Sequence, residues 1–131
     1  MTLEELGRRA VACKHWRWMP GMYAEPLAFR VVWADDDSIG EADQISYLRE
    51  RVPHIYPDLS DPATLGCLLA LVREAWGDDV TPMRIVSASD QKRRWWYIGL
   101  GEHVIGGMSR GLSLEAESES ELLVAALEAA P

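Results

Sequence analysis

The chain has 131 residues and a mass of 14.7 kDa, with 13 basic against 21 acidic side chains and a formal charge of −8. Hydrophobic residues make up 48% of it, which excludes intrinsic disorder as the main state, and the longest apolar run, Cys67 to Val72, is too short to span a membrane. The basic groups form no long stripe, so we expect no duplex nucleic acid and no membrane as partner. One domain over residues 1–131 is expected.

The first 34 residues predict a helix followed by two strands. Thr2 and Glu5 have the spacing of a capping box, which begins a helix from about Leu3 to Cys13. Alternating side chains predict the two strands, Trp16–Trp18 and Leu27–Trp33.

A tight turn is predicted between these strands, at residues 19–22. Pro20 presets φ at the first central position, and Gly21 permits a positive φ at the second. This is the pattern of a type II turn.

Residues 35–60 carry weaker signals. Ser38 and Glu41 have capping-box spacing, and an apolar stripe from Ile45 to Val52 favours a helix that ends before Pro53. Residues 54–60 are expected to form a loop because they contain Pro57.

The clearest element is a helix that begins after Asp61 and ends at Gly77. Asp61 is a carboxylate N-cap, Pro62 suits the first helical position, and the apolar residues have helical spacing. Gly66 lies inside this helix, where glycine costs roughly 1 kcal/mol relative to alanine. We therefore expect another element or a ligand to approach the backbone at Gly66.

Residues 83–131 predict strands and a final helix. A polar hairpin turn at Ser89–Lys92 joins strands at Met83–Ala88 and Trp95–Leu100, and a third strand is expected at Val104–Ile105 or Leu112–Leu114. Ser118 and Glu121 form a capping box before the last helix. The fold class is therefore α+β: a single domain with an antiparallel sheet of four or five strands and helices packed on it.

The sequence lacks the motifs of common catalytic and metal sites. It contains no His-Glu-x-x-His, no Cys-x-x-Cys, no Walker A loop and no Gly-x-Ser-x-Gly, so we expect no enzyme, no metal and no cofactor. Asp35–Asp37 is expected to be a solvated loop. The polar first nine residues and the two separate cysteines, Cys13 and Cys67, favour a cytoplasmic location.

Two short segments combine tryptophan with basic residues, at 15–18 and 92–97. In one interpretation they are core residues with exposed arginines. In the other, an aromatic face stacks a base while arginines bind its phosphates, and the glycine-rich segment Gly106–Gly111 closes over the ligand. This second interpretation assigns a small phosphorylated ligand to the following residues: Arg17, Trp18, Arg30, Arg94, Trp96, Ser109 and Arg110.

Three segments resemble a family of short phage proteins. They are WRWMPGM (Trp16–Met22), PDLSDPATLGCLLALVREAWG (Pro57–Gly77) and ELLVAALEAAP (Glu121–Pro131). They are similar to the phage-encoded Thoeris anti-defence sponges of the first type. The resemblance implies a non-enzymatic protein in the cytoplasm of an infected bacterium that sequesters glycocyclic ADP-ribose, and in some members cyclic trinucleotides. It also implies a dimer or a trimer of dimers, and it assigns no pocket residue.

Two alternative functions remain open at this point. The charge of −8 suits an acidic interaction protein that mimics nucleic acid and blocks a host enzyme. A nucleotide-processing enzyme would need His15 or His103 beside an acid, and no spacing supports it. Independently of function, six tryptophans in a chain of this size favour a homo-oligomer, with Trp95, Trp96 or Tyr97 near the interface.

Overall fold

Three helices and nine short strands form the described part of the chain. The computed structural model describes residues 1–36, 38–41, 46–48, 54–77, 83–86, 94–105 and 108–131. The helices are α1 (Leu3–Val11), α2 (Pro62–Trp76) and α3 (Glu119–Glu128). The strands are β1 (Tyr23–Glu25), β2 (Phe29–Arg30), β3 (Trp33–Ala34), β4 (Ser38–Gly40), β5 (Ser46–Leu48), β6 (Tyr56–Pro57), β7 (Met83–Val86), β8 (Arg94–Ile105) and β9 (Met108–Ala116).

The predicted α+β class is confirmed, but the sheet arrangement differs from the expected single sheet. The described strands form three antiparallel sheets of three strands each, in the orders β2–β1–β6, β3–β4–β5 and β7–β8–β9. The first two sheets consist of strands of two or three residues. The third contains the two long strands, β8 and β9.

Three of the four helix starts predicted from capping residues are confirmed, those at Thr2, Asp61 and Ser118. The Thr2 hydroxyl accepts from the Glu5 amide at 3.1 Å, and the Glu5 carboxylate accepts from the Thr2 amide at 2.8 Å. Asp61 caps α2, and Gly77 ends it with φ +64°. The Ser118 hydroxyl accepts from the Glu121 amide at the start of α3. Each contact spans only a few residues, so the sequence suffices to specify it.

The predicted strand at Trp16–Trp18 is wrong. These residues have no strand conformation, and Trp18 is buried in the core with Trp16 edge-to-face against it at 5.5 Å. The strand that pairs with β2 is β1, which starts at Tyr23, after the turn. Burial of Trp18 in the core therefore fixes the position of residues 16–18, which pair with no strand.

Residues 38–60 also differ from expectation. The predicted helix is replaced by β4 and β5, and the predicted loop at residues 54–60 contains β6. Trp33 explains the choice at β4, because its indole lies directly on the backbone of its cross-strand partner Gly40. A Cβ on Gly40 would lie 1.9 Å from that ring. Residues 37, 42–45 and 49–53 lie outside the described residues.

The third sheet corrects one further prediction. Residues 108–111 belong to β9 and so are strand, whereas a loop was expected. Gly106, Gly107 and the predicted hairpin turn Ser89–Lys92 lie outside the described residues.

A continuous hydrophobic cluster packs α3 against α2, β8 and β9. Leu68 and Val72 of α2 and Ile98 of β8 are fully buried, as are most apolar side chains of α3. Trp96 is partly buried against the same cluster. None of the helices in the described part of the chain is long and apolar enough to cross a membrane.

The expected close approach of another element at Gly66 is wrong. Gly66 is exposed, and a Cβ added there would meet no atom within 4 Å. Its flexibility therefore destabilises α2 without a packing benefit in the described structure.

Replacing Gly66 with alanine should raise the free energy of unfolding by about 0.5–1 kcal/mol, because alanine restricts the unfolded chain and favours the helix. Urea denaturation would measure the change. The matched control is Ala70→Gly at another exposed position of α2, which should lower stability by a similar amount. A less stable Gly66→Ala protein would contradict the open surface at this position.

Candidate functional site

Arg30 is held in a structural ion pair at the start of α2. Its guanidinium donates to the two carboxylate oxygens of Asp61 at 2.5 and 3.1 Å and to the Gly21 carbonyl at 2.9 Å. It also lies 5.1 Å from the centre of the Tyr23 ring. Hydrogen bonds from Arg30 are the main reason that the pKa of Asp61 falls from 3.8 to about 2. Arg30 thus joins the turn to the N-terminus of α2.

Arg17 forms an ion pair at the other end of α2. Its Nη1 lies 2.7 Å from Oε2 of Glu74, in the last turn of the helix. Glu74 is 13 residues beyond Asp61, which corresponds to about 20 Å along the helix axis. The structure therefore does not place Arg17 and Arg30 around one phosphate group.

The predicted ligand contacts on the third sheet are also spread out. In the ladder between β8 and β9, Trp96 lies opposite Ala116, and Arg110 lies opposite His103. Arg94 is two residues before Trp96 on β8, and Arg110 is six residues before Ala116 on β9. Because Trp96 and Ala116 lie opposite each other, the two arginine positions are about 26 Å apart along the strands. Ser109 pairs with Val104 within the ladder. The structure does not bring Arg94 and Arg110 together.

The two predicted tryptophan platforms lie in or against the core. Trp18 is only 6% exposed, and Trp96 packs against the hydrophobic cluster. Stacking a ligand base on Trp18 would require the core to open. The first interpretation of the sequence, in which tryptophan belongs to the core, describes these two residues better.

A cleft that sequence reasoning missed lies between the C-terminal ends of α1 and α3. It is open to solvent and has a volume of about 390 Å³, within the usual range of small-molecule sites. The lining residues are Arg9, Ala12, Cys13, Lys14, Leu127, Glu128 and Ala130. We call it the α1–α3 cleft.

Positive charge and apolar surface are combined in the α1–α3 cleft. Arg9 donates from Nε to Oε2 of Glu128 at 3.3 Å and from Nη2 to Oε1. Lys14 has no ion pair within the described structure. Ala12 contributes exposed apolar surface, whereas Leu127 is only 1% exposed. The cleft can therefore hold a small anion with an apolar body.

The Cys13 thiol also lines the cleft. It donates to the Arg9 carbonyl at 3.3 Å, and burial raises the pKa of the thiol. The thiol therefore stays protonated near neutral pH, and a protonated thiol is a poor nucleophile.

His15 and Arg17, which follow Lys14 in the chain, contact the residues after α3 and the last turn of α2. Trp76 links α2 to α3. His15 Nε2 lies 2.8 Å from the Pro131 carbonyl oxygen, Arg17 pairs with Glu74, and Trp76 donates to the Ala126 carbonyl at 2.8 Å. Basic side chains near helix C-termini are electrostatically favourable, because the exposed carbonyls carry partial negative charge. Basic residues around the end of α1 were the available sequence signal, but only packing against α3 makes a cleft of them.

No family model, curated protein or solved structure matches this chain. In the described residues, no group of three or more histidine, cysteine, aspartate or glutamate side chains is arranged to hold a metal ion. The chain is thus a small α+β protein with an anion-compatible cleft.

Proposed function

We propose that the protein is a non-catalytic binding protein that captures a small phosphorylated cyclic nucleotide and releases it unchanged. The observation that carries the proposal is the α1–α3 cleft, which Arg9 and Lys14 line together with Ala12 in a protein of charge −8. A small anion inside the cleft responds chiefly to these nearby cations, whereas a long polyanion is repelled by the whole surface.

The ligand's parts match the two kinds of surface in the cleft. The planar guanidinium of Arg9 binds phosphate oxygens in pairs, and Lys14 adds a compact point charge. The ribose or base covers the exposed Ala12. The protonated Cys13 offers no activated nucleophile, which is consistent with reversible binding.

The ion pairs reduce the local negative charge that an acidic mimic of nucleic acid would present at four positions, and the net charge of −8 already includes the paired arginines. Four carboxylates, those of Glu4, Asp61, Glu74 and Glu128, are each paired with an arginine. Paired carboxylates present less negative charge to a partner protein than free ones do.

The resemblance to phage anti-defence sponges selects the first ligand to test, glycocyclic ADP-ribose. On the same proposal the protein acts in the cytoplasm of an infected bacterium, as a dimer or a trimer of dimers. Sedimentation at micromolar concentration tests the assembly, and a clean monomer would contradict it.

Capture of the intact signal is the decisive result. The purified protein is incubated with glycocyclic ADP-ribose, freed of unbound ligand and denatured, and the released ligand is identified by mass spectrometry. We expect the intact cyclic molecule. A hydrolysed product would favour an enzyme, and no retained ligand would contradict capture.

Arg9→Ala and Lys14→Ala should each weaken binding about fivefold in calorimetry, because each removes one exposed charged contact to phosphate. The matched control is Arg8→Ala, also on α1, where the arginine pairs with Glu4 and does not line the cleft. Circular dichroism checks that each variant folds. Full affinity in both cleft variants would place the ligand elsewhere on the protein.

A further inference from the structure

Glu128 is the only acidic residue among the described residues that line the α1–α3 cleft. Its two carboxylate oxygens accept from two nitrogens of the Arg9 guanidinium. The fork that would bind a phosphate is therefore occupied by the protein's own carboxylate. The contact joins residues 119 positions apart in the chain and links α1 to α3.

The position of Glu128 is unfavourable for its own helix. It is the last residue of α3, where exposed carbonyls repel negative charge, and the last turn of α3 contains no basic residue. Local helix stability therefore does not explain a glutamate here. The contact with Arg9 on α1 does explain it.

The ion pair is also easily exchanged. The side chains of Arg9 and Glu128 are 40% and 36% exposed, and ion pairs this accessible to water contribute little to stability. A ligand phosphate that reaches the cleft can take the place of the carboxylate on Arg9 without unfolding either helix.

We propose that Glu128 is a specificity-determining residue that makes the cleft select ligands with two or more negative charges. This inference rests on the proposed function. With Glu128 in place, a singly charged ligand is matched by Lys14 alone. A pyrophosphate supplies enough charge to displace the carboxylate and to use Arg9 and Lys14 together.

The test compares two ligands and two charge-removing variants by calorimetry. The probes are ADP-ribose, which carries a pyrophosphate, and 3′,5′-cyclic AMP, which carries one negative charge. Glu128→Gln releases Arg9. Glu4→Gln is the matched control, because it also removes one carboxylate that pairs with an α1 arginine, outside the cleft.

We expect wild-type protein to prefer ADP-ribose, and Glu128→Gln to reduce that preference by about fivefold, the size of one exposed charge contact. Cyclic AMP gains most, because only its contact with Arg9 was blocked. Glu4→Gln should leave the preference unchanged. Simple repulsion by Glu128 predicts the opposite, a larger gain for the more highly charged ADP-ribose.

The outcomes separate this inference from the proposed function. If wild-type protein binds ADP-ribose and Glu128→Gln leaves the preference unchanged or increases it, the role of Glu128 is overturned and the binding function stands. If wild-type protein and Glu128→Gln bind neither probe nor glycocyclic ADP-ribose, both are overturned. Thermal unfolding of Glu128→Gln near the wild-type temperature shows that α3 is intact.

Discussion

Replacing Asp61 with alanine should lower the free energy of unfolding by about 2–4 kcal/mol, because one carboxylate serves three partners. It caps α2 through the Thr64 amide at 3.0 Å and accepts from the Thr64 hydroxyl at 2.8 Å. It also binds the Arg30 guanidinium. Thr64 is fully buried and accepts from the Tyr23 amide, so its hydroxyl would lose its acceptor in a dry environment.

Asp61→Asn distinguishes the effect of the carboxylate charge from the effect of helix capping. Asparagine still caps a helix but does not pair with arginine as a carboxylate does, so a loss of about 1–2 kcal/mol is expected. Asp58→Ala is the control: it removes a neighbouring carboxylate that bonds only to Ser60 among the described residues. Urea denaturation at pH 7 should show a change below about 1 kcal/mol for Asp58→Ala.

Acid should reveal the same group. The pKa of Asp61 is lowered to about 2 in the folded protein, from 3.8. Its stabilising contribution is therefore fully present above about pH 4 and is lost as the pH falls towards about 2. This part of the acid dependence should be missing in Asp61→Asn. An unchanged acid transition in that variant would contradict the role assigned to the Arg30–Asp61 pair.

Replacing Gly21 with valine should destabilise the protein by about 2–3 kcal/mol, because Gly21 has φ +101° and a β-branched side chain is strained there. The backbone at this point cannot relax freely. The Gly21 amide donates to the Val31 carbonyl at 2.8 Å, and its carbonyl accepts from Arg30. Changing φ would break the link between the turn and the residues after β2.

Gly66→Val is the matched control for this prediction. It makes the same chemical change at an exposed helical position without a positive φ, where valine and glycine have similar helix propensities. We expect little change in its urea midpoint and a clear decrease for Gly21→Val. Equal midpoints for the two variants would show that the turn does not constrain Gly21.

Local signals account for the features that the sequence predicted well. Thr2, Asp61, Gly77 and Ser118 mark helix ends, and Gly21 has the predicted positive φ. Each capping group has its hydrogen-bond partner within about four residues, and the positive φ belongs to the backbone of Gly21 itself. Such contacts form whenever the segment folds, whatever the rest of the chain does.

The strands were harder to predict because their partners are distant. β1 pairs with β6, more than 30 residues later, and this gives residues 54–60 a strand where their composition indicates a loop. Trp16–Trp18 alternates as a strand does, yet burial of Trp18 in the core determines its conformation. Tertiary packing overrides a local strand pattern when burial of the apolar side chains stabilises the protein more than the pairing of a short strand would.

The sequence by itself determined the α+β class, the starts of the three helices, the end of α2, the turn at Gly21 and the types of residue available for binding anions. Only the tertiary structure decided which of those residues lie close together. Arg30 and Arg17 are paired at opposite ends of α2, whereas Arg9 and Lys14 line a cleft against α3. The physical reason is range: a cap finds its partner within one turn, but an arginine pairs with whichever carboxylate packing brings near, as Arg9 does with Glu128.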